Sequence, residues 1–406
     1  MSDQLPCPVP HGTRRTSRGD DSARPAVELI DGTWHVRSHD AVRQALRSGA
    51  VTQAGFAVDT ARRHRPHSRP PVLFADGEEH RAQRRAIARY FAPVTVDRRY
   101  RDLMQERADA LVADIARRGR VELSAVTMRY AVDVASRVVG LTNSDTDAMA
   151  RRLSRFFELT PPESQPASRF AKVVAVLRGA RLVTPLMRFQ RLDVAPAVAA
   201  RREQPGEDVI SHLLASGYSD EEILLECVTY GAAGMVTTRE FIAMATWHLL
   251  DDEATRAAYL GGEEPERYRI LAEILRLEPV VGHLYRRTTE PLTLPTPTGE
   301  TTIGAGERLD LYLRAANADE DAVGPDPLSL CPGREVAPGV RAEAMSFGDG
   351  AHRCPGNALA IQESDIFLTR LLALPLRLVS TPRIEWDELI SGYAVRDLVL
   401  EVTPGA

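Results

Sequence analysis

A single cysteine lies on a glycine-rich loop in the segment Phe347-Gly348-Asp349-Gly350-Ala351-His352-Arg353-Cys354-Pro355-Gly356. The glycines allow backbone angles and close approaches that a Cβ atom would forbid, so this loop can lie against a flat macrocycle. An apolar helix is predicted from Asn357 to Leu372, and its first N–H groups would point at the sulfur and stabilise a thiolate. We therefore interpret Cys354 as a thiolate ligand to haem iron. The alternative is a buried structural cysteine in a glycine turn.

The same loop resembles the haem-binding signature of the cytochrome P450 family, Phe-Gly-x-Gly-x-His/Arg-x-Cys-x-Gly. Its defined positions are matched by Phe347, Gly348, Gly350, His352, Cys354 and Gly356. The resemblance implies heme b (iron protoporphyrin IX) as the cofactor, with Cys354 as the metal ligand and the other signature residues around it. It also implies a mainly α (α+β) fold over roughly Val27 to Val402, a triangular helical arrangement with small antiparallel β-sheets.

The composition is that of a chain that can bury a large core, as one large domain or as two. The chain has 406 residues, 44% of them hydrophobic, and a net charge of −5. Residues 25–406 are predicted to form a single domain, whereas Met1 to Arg24 are rich in Pro, Arg, Ser and Asp and are expected to be largely disordered. No run approaches the roughly 20 apolar residues of a membrane span, and basic residues are dispersed, so neither a membrane nor nucleic acid is an expected partner.

The four cysteines are scattered along the chain and lack the paired spacing of a structural zinc site. Interpreted as unpaired thiols, they indicate a reducing compartment. Together with the lack of an apolar signal core at the amino terminus, this predicts a cytoplasmic protein.

A second resemblance covers Asp76 to Arg84. His80 and Arg84 are four residues apart, so they share one helix face. In the family this pair holds a haem propionate, and the planar guanidinium of arginine suits a carboxylate. Arg286 matches a further propionate-binding arginine. The alternative for the first pair is a solvated basic helix face, because other arginines flank it.

A third resemblance is the family's Glu-x-x-Arg motif, found here in Glu273-Ile274-Leu275-Arg276. Its expected partner is Arg334. The resemblance implies a structural triad, because three charges in a low-dielectric core persist only if they satisfy one another. On its own a Glu-x-x-Arg is uninformative, since such pairs are common on exposed helices.

Helical periodicity runs from about Asp220 to Leu250, with small residues at 231–234 that leave room for a flat group. The family's oxygen-binding groove, Ala/Gly-Gly-x-Asp/Glu-Thr-Thr/Ser, corresponds to Ala233-Gly234-Met235-Val236-Thr237-Thr238. The resemblance implies that Ala233 and Gly234 lie against the haem and that the hydroxyl of Thr237 directs the delivery of protons to oxygen. The usual acid is Val236, which cannot carry a proton.

Two glutamates are candidates to replace that acid. Glu240 lies about one turn after Val236 on the same helix face. Glu363 lies nine residues past Cys354, where some family members place an acid beneath the groove. The alternatives are a Glu240 that points to solvent beside Arg239 and a Glu363 bonded to backbone.

The resemblance implies a monooxygenase that oxidises a small organic substrate, a specialised or secondary metabolite, with O₂. Electrons are expected from a separate ferredoxin and its reductase, docking near Arg353 through charge complementarity. The basic segment Ala57 to Pro71 and the Phe156 to Pro196 segment are expected to border the substrate pocket. Two alternatives stay open. One is an atypical haem-thiolate enzyme using peroxide-driven oxygenation, oxidative coupling, desaturation or nitration, which Val236 favours; the other is a non-catalytic haem-based gas sensor.

Overall fold

The computed structural model describes residues 7–9, 12–17, 24–55, 58, 68–159, 184–387 and 390–403. Most of the described chain is helical. The helices are α1 (His39–Arg47), α2 (Gly77–Phe91), α3 (Pro93–Arg118), α4 (Leu123–Val139), α5 (Thr146–Leu159), α6 (Ala195–Glu203), α7 (Val209–Ala215), α8 (Asp220–Tyr230), α9 (Thr237–Asp251), α10 (Glu253–Gly261), α11 (Glu264–Leu277), α12 (Leu313–Ala316), α13 (Glu320–Val323) and α14 (Asn357–Leu372). Within the described residues, no helix is both long and apolar enough to cross a membrane.

The strands form small sheets. They are β1 (Val27–Ile30), β2 (Thr33–Val36), β3 (Val51–Gln53), β4 (Arg120–Glu122), β5 (His283–Thr288), β6 (Leu292–Thr296), β7 (Gly299–Ile303), β8 (Arg308–Tyr312), β9 (Leu376–Leu378), β10 (Arg383–Asp387), β11 (Gly392–Arg396) and β12 (Val399–Val402). One sheet has the order β1-β2-β8-β5-β3, another β4-β12-β9, and two hairpins pair β6 with β7 and β10 with β11. These pairings are antiparallel except β2 with β8, which is parallel.

The hairpin of β1 and β2 turns at Asp31 and Gly32. Both residues have positive φ, 47° and 76°. An Asp-Gly pair adopts such angles at low cost, and the resulting turn matches the right-handed twist of the flanking strands. The predicted hairpin is confirmed, and α1 follows it directly after Ser38.

The long helical segment predicted from Asp220 to Leu250 is also confirmed. Ser219 and Glu222 form a capping box at the start of α8, which fixes where the helix begins. The segment continues through a π-helical turn, Gly231–Val236, into α9. Such turns are frequent at functional sites.

The main core surrounds α14, the helix that follows Cys354. Phe367 on this helix is fully buried, and its ring packs against Tyr130 of α4 with centroids 5.0 Å apart. Asp365 of α14 accepts hydrogen bonds from Arg267 and Tyr259. These apolar and charged contacts fix α14 against its neighbours, and so fix the loop that precedes it.

The charged triad is confirmed in a buried position. Glu273 receives hydrogen bonds from Arg276 Nε at 2.7 Å and Nη2 at 2.8 Å, and from Arg334 Nε at 3.1 Å. The backbone N–H of Cys331 donates to the same carboxylate at 2.9 Å. Arg276 is fully buried, and its Nη1 donates to the carbonyls of Asn317 and Pro327. The triad therefore joins α11 to the segment that leads to the cysteine loop.

The prediction of disorder over residues 1–24 is wrong for the described part of that segment. The side chain of Val9 is buried, and its N–H donates to Leu330 O. Thr16 donates from both N and Oγ1 to the buried carboxylate of Glu278, which also contacts His248. Composition alone indicates too little apolar surface to order such a segment, but these polar contacts to the end of α11 fix it in place.

The interpretation of the four cysteines as unpaired thiols is also wrong, because Cys7 and Cys331 form a disulfide. Cys227 and Cys354 are the free cysteines of the described residues. The disulfide links the amino-terminal segment to Cys331, whose backbone N–H binds Glu273. Cys7 and Cys331 are 324 residues apart, so no local sequence pattern predicts that they pair.

We expect two thiols to react when the oxidised protein is unfolded without reductant, and four after reduction. Reduction should also lower thermal stability, because a disulfide restricts the unfolded chain and typically contributes about 2–4 kcal/mol. Thiol titration in denaturant and thermal unfolding with and without reductant measure both effects. Four reactive thiols before reduction would contradict the pairing.

Candidate active site

The Phe347–Gly356 loop, the helical segment from α8 to α9 and β5 border a cavity of about 480 Å³. Its wall is mostly apolar. The apolar lining includes Val72, Leu73, Phe74, Phe91, Val138, Phe156, Phe157, Val228, Leu284, Leu313, Phe347 and Leu359. The polar residues that also line it include His80, Arg84, Thr237, Thr238, His352, Cys354 and Glu363. Such a mainly apolar cavity with a few polar groups is typical of a small-molecule or cofactor site.

The loop geometry brings Cys354 to this cavity. Gly348 and Gly350 have φ of 67° and 65°, and a Cβ at Gly350 would lie 2.2 Å from the carbonyl oxygen of Leu46. Cys354 N donates to Phe347 O at 2.8 Å, which closes the loop. The backbone angle therefore favours glycine at both positions, and at Gly350 the lack of space also requires it.

The surroundings of the Cys354 thiol have two opposing effects on its pKa. Burial raises the pKa of Cys354, while a hydrogen bond from the Gly356 N–H and the charges of Arg84 and Arg353 lower it. A metal ion that coordinates a thiol removes its proton outright. The predicted amide contact to the sulfur at the start of α14 is thus present in the protein alone.

The two histidines of the site stack on each other beside the loop. His80 and His352 have ring centroids 3.8 Å apart, and His352 contacts a carboxylate oxygen of Asp76. Burial lowers the pKa of both rings, that of His80 to about 4. Both rings are therefore neutral near pH 7, and they act as hydrogen-bonding groups instead of cations.

The positive charges of Arg84 and Arg286 both act on His80 and His352, although Arg286 is not part of the cavity lining. Arg84 Nη2 donates to the carbonyl of Arg353 at 2.6 Å and lines the cavity. Arg286 on β5 is 3% exposed, and burial lowers its pKa to about 10. Among the described residues, no carboxylate lies within ion-pair distance of Arg286, and its hydrogen bond goes to the carbonyl of Tyr285. A buried guanidinium without a counter-ion is costly, so the residues present suit a group that brings carboxylates, as the propionates of haem would.

The predicted oxygen groove also reaches the cavity. Ala233, Gly234 and Thr237 line it, and Thr237 Oγ1 donates to Ala233 O at 2.6 Å. Val236 is 1% exposed and belongs to the apolar core, not to the described lining. The residue that replaces the family's acid thus packs away from the cavity.

Glu363 is a buried acid that does line the cavity. Thr238 Oγ1 donates to its Oε1 at 2.9 Å, while Oε2 has no hydrogen-bond partner among the described residues. Burial raises the pKa of Glu363 to about 8, so the carboxyl is mostly protonated at pH 7. Thr238 was not predicted as a site residue. Its place in the Thr-Thr pair is visible in the sequence, but its partner lies 125 residues away.

Glu240 does not reach the cavity in this structure. Its carboxylate accepts hydrogen bonds from Val395 N at 2.7 Å, Arg396 Nη1 at 2.9 Å and Arg239 Nε at 2.7 Å. Both oxygens are thereby occupied, and the side chain is fully buried. The proposed proton-relay role of Glu240 is therefore corrected to a structural one, the attachment of α9 to β11. The prediction correctly placed it one turn after Val236 but could not show which element covers that turn.

Two carboxylates of α8 hold the cavity wall near Val72. Glu222 accepts a hydrogen bond from Arg69 N at 2.9 Å, and Glu226 accepts one from Val72 N at 2.9 Å. On the other side, Gln53 Nε2 donates to Leu73 O. Glu226 is almost fully buried, and its second oxygen has no hydrogen-bond partner in the part of the chain that the structure describes. Burial raises the pKa of Glu226 to about 7.

We expect the Glu226→Gln variant to be less sensitive to pH than the wild type. Because the folded-state pKa of Glu226 exceeds the ordinary 4.5, its contribution to stability is fully present below about pH 4.5 and is lost as the pH rises through about 7. The full change in the free energy of unfolding due to Glu226 between low and high pH is about 3 kcal/mol. Urea unfolding at pH 5 and pH 8 measures the free energy of unfolding of both proteins. The stability of the variant relative to the wild type should be greater at pH 8 than at pH 5. Parallel stability curves would contradict this assignment.

In the Phe156 to Pro196 segment, which was predicted to border the pocket, Phe156 and Phe157 line the cavity, whereas Phe189 is buried in the main core. Phe170 lies outside the described residues, as does most of the basic segment 57–71. Arg69, at the end of that segment, stacks over Tyr218 at 4.1 Å from the ring centroid.

Comparison with known proteins agrees with this geometry. The family model described as cytochrome P450 matches residues 268–374, which include Glu273, Arg276 and Cys354. Erythromycin C-12 hydroxylase of Saccharopolyspora erythraea is 27% identical over 356 residues, covering 84% of this chain and 82% of that protein. Pulcherriminic acid synthase of Bacillus subtilis is 28% identical over 350 residues, with the same coverage of the two chains.

A solved structure shows the same fold. CYP109E1 from Bacillus megaterium, in complex with testosterone, matches with a TM-score of 0.75 at 20% identity and covers 95% of this chain and 96% of its own. The predicted P450-like fold is confirmed by this match. The chain therefore belongs to the cytochrome P450 family and is a P450-type oxidoreductase with heme b as its cofactor.

Proposed function

We propose that this protein is a haem-thiolate monooxygenase that oxidises a small, largely apolar specialised metabolite with O₂. The observation that carries the proposal is one cavity lined both by the Cys354 loop and by the groove residues Ala233, Gly234 and Thr237. A thiolate ligand and an oxygen-binding groove have to meet at the same iron, and these two segments are distant in sequence.

The residues that we propose to hold the haem line this cavity, except Arg286, whose charge acts on His80 and His352 in the lining. Cys354 would be the iron ligand, with Phe347, Gly348 and Gly356 in the loop beside the ring. His80, Arg84 and Arg286 would bind the propionates, assisted by His352. When bound, the haem supplies the redox chemistry that reduces and cleaves O₂, which the thiolate ligand favours.

We propose that Glu363 supplies protons to the oxygen groove through Thr238, alongside Thr237. Glu363 is buried, its pKa is raised to about 8, and it donates or accepts protons most effectively near that pH. Its hydrogen bond to Thr238 connects it to the cavity lining. This pair would take over the role of the acid that Val236 replaces, and Glu240 has no part in it.

The Glu363→Gln variant tests proton delivery. We expect product formed per reductant consumed to fall about tenfold or more, because positioned proton transfer typically contributes 10²–10⁴-fold. The substrate-induced Soret shift should be unchanged, since glutamine retains a side chain of the same size. Val236→Asp should not improve coupling, because residue 236 packs in the core. Full coupling in Glu363→Gln would contradict the relay.

The substrate class rests on the cavity and on the relatives. The apolar lining suits a small organic molecule. One similar protein is named as a hydroxylase of erythromycin and another as a synthase of pulcherriminic acid. A ligand screen by Soret shift, followed by product analysis with the best binder, tests whether this chain oxidises a molecule of that kind.

We also propose that a separate ferredoxin and its reductase supply the electrons. Arg353 is half-buried and pairs with Glu343 at 3.1 Å. Asp349, on the same loop as Arg353, forms ion pairs with Arg43, Arg47 and Arg341. This basic surface would attract an acidic ferredoxin. A cytoplasmic location stays a prediction, and the Cys7–Cys331 disulfide is the feature that argues against a strongly reducing compartment.

A second candidate is an atypical haem-thiolate enzyme, and Val236 is the observation that favours it. Peroxide-driven oxygenation needs no proton relay from an acid at that position. An assay with hydrogen peroxide in place of ferredoxin and reductase separates the two functions: the second predicts product with peroxide and little product with the partners. A gas sensor would consume no reductant with any ligand.

A further inference from the structure

A second cavity, of about 280 Å³, lies outside the site described above. It is formed by α3, the last turns of α4 and α6, and the loop between α6 and α7. Its lining consists of Arg99, Tyr100, Arg137, Arg201, Gly206, Glu207 and Asp208. In contrast to the apolar main cavity, most of its lining residues are charged.

The two acids of this cavity are already paired. Glu207 Oε2 forms an ion pair with Arg99 Nη1 at 2.9 Å, and Asp208 Oδ2 forms one with Arg201 Nε at 2.5 Å. Asp208 also caps α7 by accepting a hydrogen bond from Ser211 N at 2.9 Å. Because each carboxylate already pairs with one arginine, neither serves as the counter-ion of a third arginine.

Arg137 is that third arginine. It lies in the last turn of α4, is exposed, and has no ion pair or hydrogen bond to any described side chain. The cavity therefore carries one positive charge in excess. Arg201, by contrast, is held in place by Thr142 Oγ1 at 2.8 Å as well as by Asp208.

Tyr100 provides a second unsatisfied group. Its side chain is 3% exposed, and its hydroxyl has no hydrogen-bond partner in the described structure. Burial raises its pKa, so the hydroxyl keeps its proton, and the charges acting on it include Arg99, Arg137 and Asp208 of the same cavity. A buried donor without an acceptor is unfavourable, and a ligand oxygen would relieve that cost.

We propose that this cavity binds a small oxyanion, a carboxylate or a phosphate, between Arg137 and the hydroxyl of Tyr100. The single excess positive charge suits a ligand with one negative charge. Guanidinium groups bind both oxyanions with charge-assisted hydrogen bonds, and the tyrosine hydroxyl adds a neutral donor. The volume limits the ligand to a compact molecule. The site is independent of the haem cavity and does not depend on the proposed oxidation.

Isothermal titration of the haem-loaded protein with sodium acetate and, separately, with inorganic phosphate tests the site, with sodium chloride as the ionic-strength control. We expect saturable binding of at least one oxyanion. The anion that binds more tightly identifies the source, a carboxylic acid or a phosphate. Arg137→Gln and Tyr100→Phe should each weaken binding, the former by about tenfold or more, because each removes a hydrogen bond to a charged ligand.

Arg98→Gln is the matched control. Arg98 is an exposed arginine next to Arg99 on α3 that does not line the cavity, so its loss should leave the affinity unchanged. Circular dichroism and the Soret spectrum confirm that each variant is folded and haem-loaded; Tyr100→Phe keeps the ring in place. A titration that does not saturate with either oxyanion, or in which Arg137→Gln or Tyr100→Phe binds like the wild type, overturns the proposal.

Discussion

Replacement of Cys354 by serine is expected to remove the thiolate signature of the haem protein and to reduce product formation below detection. Serine keeps its proton and is a poor ligand for iron compared with a soft thiolate. The loop itself should persist, because the Cys354 N–H to Phe347 O bond and the glycines do not involve the side chain. The spectrum of the reduced protein with carbon monoxide measures the ligand directly.

Cys227→Ser is the matched control for this variant. Cys227 is the other free cysteine of the described residues, is buried in the main core, and does not line the haem cavity. It should retain the carbon monoxide band typical of a thiolate ligand. Persistence of that band in Cys354→Ser would show that Cys354 is not the ligand, whatever the activity of the variant.

Local signals carried much of the fold. The Asp31-Gly32 turn specifies its hairpin through backbone angles alone, and the helix from Asn357 to Leu372 has the predicted bounds. The Glu273–Arg276 pair follows from helix spacing. Each feature depends on residues a few positions apart, so the sequence contains the information directly.

Contacts between distant segments were not predictable in this way. Glu240 and Glu363 are both buried acids, and only tertiary packing shows that β11 binds Glu240 while Thr238 binds Glu363. The same holds for the Cys7–Cys331 disulfide and for the anchoring of Thr16 on Glu278. Composition described the amino-terminal segment correctly as polar, but polar groups order a chain when buried partners satisfy them.

Arg276→Ala is expected to destabilise the protein by about 3–5 kcal/mol and to lower the yield of haem-loaded protein, because it leaves a buried carboxylate without its main partner. Glu273 is 4% exposed, and Arg276 provides two of its hydrogen bonds. The carbonyls of Asn317 and Pro327 would also lose their donor. Thermal unfolding and the ratio of haem to protein after purification measure the effect.

The same helix offers a matched control in Arg269→Ala. Arg269 pairs with Glu266 at the same spacing of three residues, but the two atoms are 3.8 Å apart and the arginine side chain is 67% exposed. Solvent-exposed pairs of this kind contribute about 0–1 kcal/mol, so this variant should load haem and unfold like the wild type. Because both variants remove an arginine from α11, their difference isolates the burial of the charge and the contacts of the triad. Equal stability of the two variants would show that the triad does not hold α11 to the segment before the cysteine loop.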